Sequence, residues 1–235
     1  MLQVADKPEF IIPTNWTFED QAVAAGFERH VRETLPWYEL ATGAVAHVAR
    51  HYIPLDGLVY DLGCATGNIG RALAPTLQAR KAHLIAVEPS HEMAAIYTGP
   101  PESELLIERA ECVEFQPFDV AVAFLTIMFV AVAERARLLD RLFAAMRPGG
   151  VLIVFDKCEA DTGYAATVLW RLALAGKLAT GIDPAEIVAK ELSLSGVQRP
   201  LSRGVLPAHA LEFFRFGEFA GWLIEKEIPR CRQDP

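Results

Sequence analysis

Two acids in this sequence stand where chemistry needs them. Asp61 ends the apolar run Leu58-Val59-Tyr60 and leads straight into Leu62-Gly63-Cys64-Ala65-Thr66-Gly67. An acid at a strand tip can accept a hydrogen bond from an ammonium group and repels phosphate, so it suits a cationic amino-acid ligand better than a pyrophosphate. The glycines let the backbone approach a ligand with no Cβ in the way. Glu88, followed by Pro89, ends a second apolar run, Leu84-Ile85-Ala86-Val87. An acid in that place can hold the two hydroxyls of a ribose. An NAD site would share the ribose acid, but Gly63, Gly67 and Gly70 do not form Gly-x-Gly-x-x-Gly, which makes hydride transfer the weaker reading.

Other candidates come from the ends of later apolar runs. Asp156-Lys157 follows Val151 to Phe155 and reads either as an acid/base unit or as a neutralised structural pair. Phe124 to Met128 follows another run and offers an apolar shelf for an apolar or aromatic acceptor. It contains no Asn-Pro-Pro-Tyr or Asp-Pro-Pro-Tyr, a run that could polarise the exocyclic amine of a base. His47, His91 and His209 are isolated and read as surface or capping residues. Arg171 reads as part of a solvated face. The cysteines Cys64, Cys112, Cys158 and Cys231 lack Cys-x-x-Cys spacing, so no metal is expected. Reduced thiols beside the site suit a cytoplasm.

The elements that must position these groups alternate along the chain. Helical spacing runs from Glu19 to His30, with Thr17 as the expected cap, and again from Tyr38 to Tyr52. Strands and helices then alternate over 58–62, 68–79, 83–88, 90–97, 119–124, 134–146 and 151–155. That order implies a parallel sheet covered on both faces, with every strand tip and the ligand along one edge. Residues 160–192 read as mainly helical, and Leu211–Phe216 with Phe219–Ile224 as a closing strand pair. Between them, 200–208 leaves little room for a helix. The net charge of −8 and the scattered Lys and Arg weigh against a nucleic-acid substrate. The N-terminus lacks a signal pattern, and the apolar run Val120–Ala133 is too short to span a bilayer. A cytoplasmic protein with no membrane association is therefore expected, and the apolar run Ala165 to Leu174 leaves room for a homodimer.

The segment Val59 to Leu73 resembles the first motif of the class I S-adenosylmethionine (SAM) dependent methyltransferases. Leu84 to Ser90, Phe118 to Phe124, and Leu139 to Phe155 resemble the later motifs, in the expected order. Leu35-Pro36-Trp37-Tyr38, Asp156-Lys157 and Gly176 to Leu194 resemble, more narrowly, the carboxy-SAM synthase group of small methyltransferases. The resemblance implies an α/β Rossmann-like fold: a mostly parallel seven-stranded sheet with helices on both faces and a helical lid. It implies an N-terminal arm and helical cap over 1–56, a SAM-binding core over 57–159 and 206–235, and a lid or substrate insertion over 160–205. SAM is the expected cofactor and S-adenosyl-L-homocysteine the product. The implied cofactor contacts are Asp61, Gly63, Cys64, Ala65, Gly67, Glu88 and Pro89, with Glu111 at adenine or solvated, Met93 packing on adenine or, as a Met at helical spacing more often does, in the core, Tyr38 reaching the methionine carboxylate or walling the core, and Phe124 after the fourth strand. Asp156 and Lys157 are the catalytic candidates, and the acceptor is a small molecule.

Three residues depart from the pattern. Ala65 stands where most methyltransferases carry Gly. Phe124 replaces a polar Asn of the synthase. Glu191 falls where the synthase carries the arginine that holds its extra carboxylate, and a carboxylate facing Glu191 would be repelled. The reading is therefore in-line methyl transfer, with a carboxy-SAM-forming transferase and a non-catalytic SAM-binding module as alternatives.

Overall fold

The computed structural model describes residues 11–101, 103–160 and 162–228. Cys231 and most of the expected N-terminal arm lie outside them. Five strands form a parallel series: β1 (Leu58–Leu62), β2 (His83–Val87), β3 (Ser103–Leu106), β4 (Phe118–Phe124) and β5 (Met146–Lys157). The hairpin β6 (Leu211–Phe216) and β7 (Phe219–Glu225) adds to it, β7 pairing antiparallel with β5. The strand order is β3-β2-β1-β4-β5-β7-β6. The order reverses between β1 and β4, which opens a crevice at their C-terminal tips.

Burial on both faces explains the unbroken apolar strands: all seven residues of β4 are buried. On one face α2 (Tyr38–Ala49) and α3 (Asn68–Arg80) bring Ala41, Val45, Ile69, Leu73 and Leu77 against Val59, Val122, Ile153 and Phe155. On the other, α5 (Val132–Ala145) lays Leu138, Leu139 and Leu142 over Tyr60, Ala121 and Leu152. Each such large side chain contributes about 1.5–3 kcal/mol on burial. A third cluster sits above the strand tips, where Trp16, Val23, Ala24, Met93 and Leu194 meet Phe18, Phe27 and Phe129.

Several expected boundaries shift for local reasons. The cap of α1 (Gln21–Thr34) is Asp20, whose carboxylate accepts from the N–H groups of Ala22 and Val23 at 2.7 and 3.1 Å. Thr17 instead accepts from Glu19 N–H just upstream. The turn expected at Arg147-Pro148-Gly149-Gly150 is drawn into β5 as a ladder irregularity, with Gly149 at φ 82° and its N–H on Lys226 O. Ser90 caps the short α4 (His91–Ala95). Between β5 and β6 the described residues form α6 (Tyr164–Ala179), α7 (Pro184–Ser193) and a 3-10 turn at Arg203–Val205. Gly217 turns the β6–β7 hairpin at φ 59°, and any Cβ there would lie 2.8 Å from Ala173 of α6. Among the described residues, no helix is long and apolar enough to cross a membrane.

Candidate active site

The glycine turn after β1 is built on left-handed backbone. Gly63 lies at φ 65°, where a Cβ would meet Thr126 at 2.6 Å; Gly67 lies at φ 94°, where one would meet Thr98 O at 2.8 Å. Ala65, standing in for the usual glycine, also adopts φ 46°, a conformation that costs a residue with a Cβ about 1–2 kcal/mol. Its N–H is held by Glu88 Oε2 at 2.9 Å, while Glu88 Oε1 accepts from Ser90 N–H at 3.0 Å. Glu88 is buried at the tip of β2; burial pushes its carboxyl above the usual carboxylate range, against the pull of these two N–H donors. Asp61 lies deeper, beneath the turn. It accepts from the Gly70 N–H, and burial pushes it up to about 7. Its Oδ2 has no hydrogen-bond partner. A buried carboxylate oxygen without a donor fits a site completed by an ammonium group.

The crevice is a cavity of about 470 Å³. Of the expected cofactor contacts, Tyr38, Gly63, Cys64, Ala65, Glu88, Pro89, Glu111 and Phe124 line it. Asp61, Gly67 and Met93 do not: the first two support the turn from behind, and Met93 is fully buried in the cluster with Trp16 and Leu194. Glu111 is ion-paired to Arg109 at 2.6 Å. Tyr38 packs edge-on to Phe124, ring centroids 5.5 Å apart, with the Arg32 guanidinium 5.6 Å from its ring. Burial pushes its hydroxyl well up, which keeps it a neutral donor. The two cysteines at the strand tips, Cys64 and Cys158, are buried and both thiols are pushed up by burial, which leaves them inert as nucleophiles.

The expected Asp156–Lys157 unit does not form. Adjacent residues of a strand point to opposite faces, so only Lys157 lines the cavity. Asp156 is fully buried; its Oδ2 accepts from the N–H groups of Ile127 and Met128 at 2.8 and 3.3 Å. Beside it Arg135, also buried, donates to the carbonyls of Val130, Met128, Pro200 and Arg199. Together they pin the 3-10 turn at Ile127–Phe129, which forms part of the cavity wall. Lys157 instead faces Glu191 at 3.2 Å and Glu218 at 4.0 Å, and Lys177 holds the other Glu191 oxygen at 2.8 Å. Glu191 is therefore a bridged anion held below the usual carboxylate range by Lys157 and Lys177 against its own burial. The unopposed repulsion expected from it is absent.

Other residues of the site left little trace in sequence. Glu28 of α1 accepts from Arg71 at 2.6 Å, Arg32 at 2.8 Å and the Thr66 hydroxyl at 3.0 Å, which ties the helical cap to the glycine turn. Its i,i+4 spacing to Arg32 was the available signal. Trp16 and Phe18 form a strap: Trp16 N–H donates to Ser193 O at 2.9 Å, and the Ser90 hydroxyl donates to Phe18 O at 2.6 Å. From α7, Ile187, Lys190, Glu191 and Leu194 face the cavity at helical spacing. Lys177 and Lys190, with His30 from α1, complete a basic wall.

The methyltransferase-domain family matches residues 59–150. The carboxy-S-adenosyl-L-methionine synthase of Aeromonas hydrophila subsp. hydrophila is 30% identical over 202 residues, covering 83% of this chain and 80% of the relative. The synthase of Staphylococcus epidermidis is 23% identical over 193 residues, covering 81% and 84%. Among solved structures, DhpI in complex with S-adenosylhomocysteine superposes with a TM-score of 0.59 at 16% identity, covering 89% of this chain and 94% of that one. That likeness establishes the fold.

Proposed function

This chain belongs to the class I SAM-dependent methyltransferases, in the group of the carboxy-SAM synthase, and from that premise we propose how its cavity divides between cofactor and acceptor. The carrying observation is the pair of acids at the β1 and β2 tips, one with an orphaned oxygen, around a turn that only small residues can make. Glu88 holds the ribose hydroxyls, and the Ala110–Glu111 edge takes the adenine. The Asp61 Oδ2, beneath the glycine turn, receives the amino group of the methionine portion through one water. Tyr38 donates to its carboxylate. Bound SAM supplies a methyl group on a sulfonium, whose loss needs no protonation of the leaving thioether. The protein's part is alignment and exclusion of water. Phe124, Leu125 and Thr126 form the floor, and α7 with the 160–205 segment forms a lid over a small-molecule acceptor.

Calorimetry with SAM and S-adenosyl-L-homocysteine tests the site; binding of NADH in place of both would overturn it. Turnover of SAM separates an enzyme from a binding module. The orphaned oxygen adds a pH signature. Without ligand, the Asp61 carboxyl, pushed up to about 7, is largely protonated at about pH 6; a cationic partner favours its ionised form. Binding therefore releases a proton at about pH 6, and affinity rises with pH until Asp61 has ionised. Calorimetry in two buffers of different ionisation enthalpy reads the released proton, and Asp61→Asn should abolish it.

The lid is tested by hydrogen exchange. Cofactor should slow exchange over 160–192 together with the turn at 63–70. Protection of the turn alone would make α6 an association surface, since Tyr164, Trp170 and Leu172 expose their apolar groups there.

The second reading, carboxy-SAM formation, is favoured by the similarity to the synthases. Against it, Lys157 is already engaged by Glu191 and Glu218 and Lys177 by Glu191, which leaves neither to pair with an added carboxylate. Incubation with SAM and prephenate should yield no carboxylated product; its appearance at a catalytic rate would make this reading the correct one.

A further inference from the structure

We infer that Lys190 is the proton acceptor for the methyl-receiving group, and that this group is the acidic hydroxyl of an aromatic acceptor seated against Trp16, Phe18 and Phe129. The inference rests on the cavity being a methyl-transfer site. The aromatic wall is continuous. Phe18 meets Trp16 and Phe27 edge-on at 5.8 Å each and Phe129 at 5.0 Å, and it lines the cavity with them. Such a wall takes a flat ring on its faces and edges.

Lys190 Nζ sits over the Trp16 ring, in the same wall. The charged groups around it are few. Lys177 faces it from α6. On its own helix, Glu191 is engaged by Lys157 and Lys177, and Glu186, one turn earlier, lies 4.0 Å from His30. Among the described residues, no carboxylate lies within ion-pair distance of Lys190. His30 of α1, buried and packed on Trp16 with ring centroids 6.2 Å apart, completes the surroundings. A lysine desolvated against an indole, with a second cation beside it and no acid of its own, favours the neutral amine. Burial and then Lys177 bring Lys190 down to about 6, against Glu191. His30 falls further, to about 4, by burial and then by Lys190 and Lys177. Of the two neutral bases, Lys190 is the closer to neutrality and so the more effective.

The proton step balances within the cavity. The acceptor O–H bond breaks and its electron pair stays on oxygen as the nucleophile. The proton forms a new N–H bond on Lys190 Nζ, and water removes it later. The resulting oxyanion lies beside an ammonium in a half-buried, aromatic site, where their attraction exceeds that in open water. An aliphatic hydroxyl is too weak an acid for an amine whose basicity has been lowered this far; a phenol-type hydroxyl is within reach.

The test uses 4-nitrophenol, whose colour reports its ionisation, with the full chain saturated by S-adenosyl-L-homocysteine. At a pH below the probe's own titration midpoint, wild-type protein should produce the phenolate absorption on binding. Lys190→Met should lose that absorption, and His30→Gln should keep it. Calorimetry of S-adenosyl-L-homocysteine should be the same for Lys190→Met and wild type. No phenolate band with wild type, through lack of binding or binding as neutral phenol, overturns the inference, and so does a band that survives Lys190→Met. Cofactor binding intact in these experiments leaves the methyltransferase reading standing on its own; its loss in wild type would sink both.

Discussion

Replacing Glu88 with alanine should weaken binding of SAM and S-adenosyl-L-homocysteine by about 100-fold or more. The buried carboxylate is assigned two ribose hydroxyls, and each hydrogen bond to a charged group contributes about 1.5–3 kcal/mol. The same carboxylate holds the N–H groups of Ala65 and Ser90, so its removal also frees the left-handed Ala65 turn. Glu88→Gln separates the two effects. The amide still accepts from Ala65 N–H but carries no charge, and the loss should shrink to roughly tenfold. Calorimetry on both variants, with melting temperatures to verify folding, is the measurement. An alanine variant that binds within about threefold of wild type would remove Glu88 from the cofactor site.

Asp156→Ala should cost stability rather than chemistry. It strands the N–H groups of Ile127 and Met128 and leaves the buried Arg135 guanidinium without its neighbouring carboxyl. Stranding two buried N–H donors costs about 1–3 kcal/mol each. For a domain of this size, a total of about 2–6 kcal/mol lowers the melting temperature by roughly 4–24 °C. Asp156→Asn keeps an oxygen for the two N–H groups and should be milder. It also carries a pH signature. Burial pushes the Asp156 carboxyl up to about 8, so between its unfolded value and about 8 the folded state holds the extra proton. Its contribution is full at low pH and is lost as pH rises through about 8. The melting temperature of Asp156→Asn relative to wild type should therefore climb from about pH 5 to pH 8. A flat difference, together with a lost ionisation in the turnover profile, would return Asp156 to a catalytic role.

The local chemistry of the sequence carried the fold and the frame of the glycine turn. Apolar runs that end in Asp61 and Glu88, separated by a glycine turn and a helix, can be read along the chain because strand, turn and helix are each set by neighbours in sequence. Even Ala65 was legible as a departure; its φ of 46° then shows why glycine is usual there. The helix cap at Asp20, the strand that absorbs Pro148-Gly149-Gly150, and the position of Met93 were less legible. Each depends on competing local partners or on what packs across from it.

The acceptor end belongs to tertiary structure. Asp156 and Lys157 are adjacent in sequence, yet strand alternation sends one into the core and the other into the cavity. Glu191 looks like a lone negative charge until α6 and β5 bring Lys177 and Lys157 against it. Lys190 becomes a candidate base only because α7, α1 and the Trp16 strap converge on it. A side chain's charge state depends on the dielectric and on the ions facing it, and those neighbours lie far away along the chain. The sequence alone thus determined the strand–turn–helix frame with Asp61 and Glu88 at its strand tips; which titratable groups are anchors and which are ion pairs was decided by the packing of distant elements over those tips.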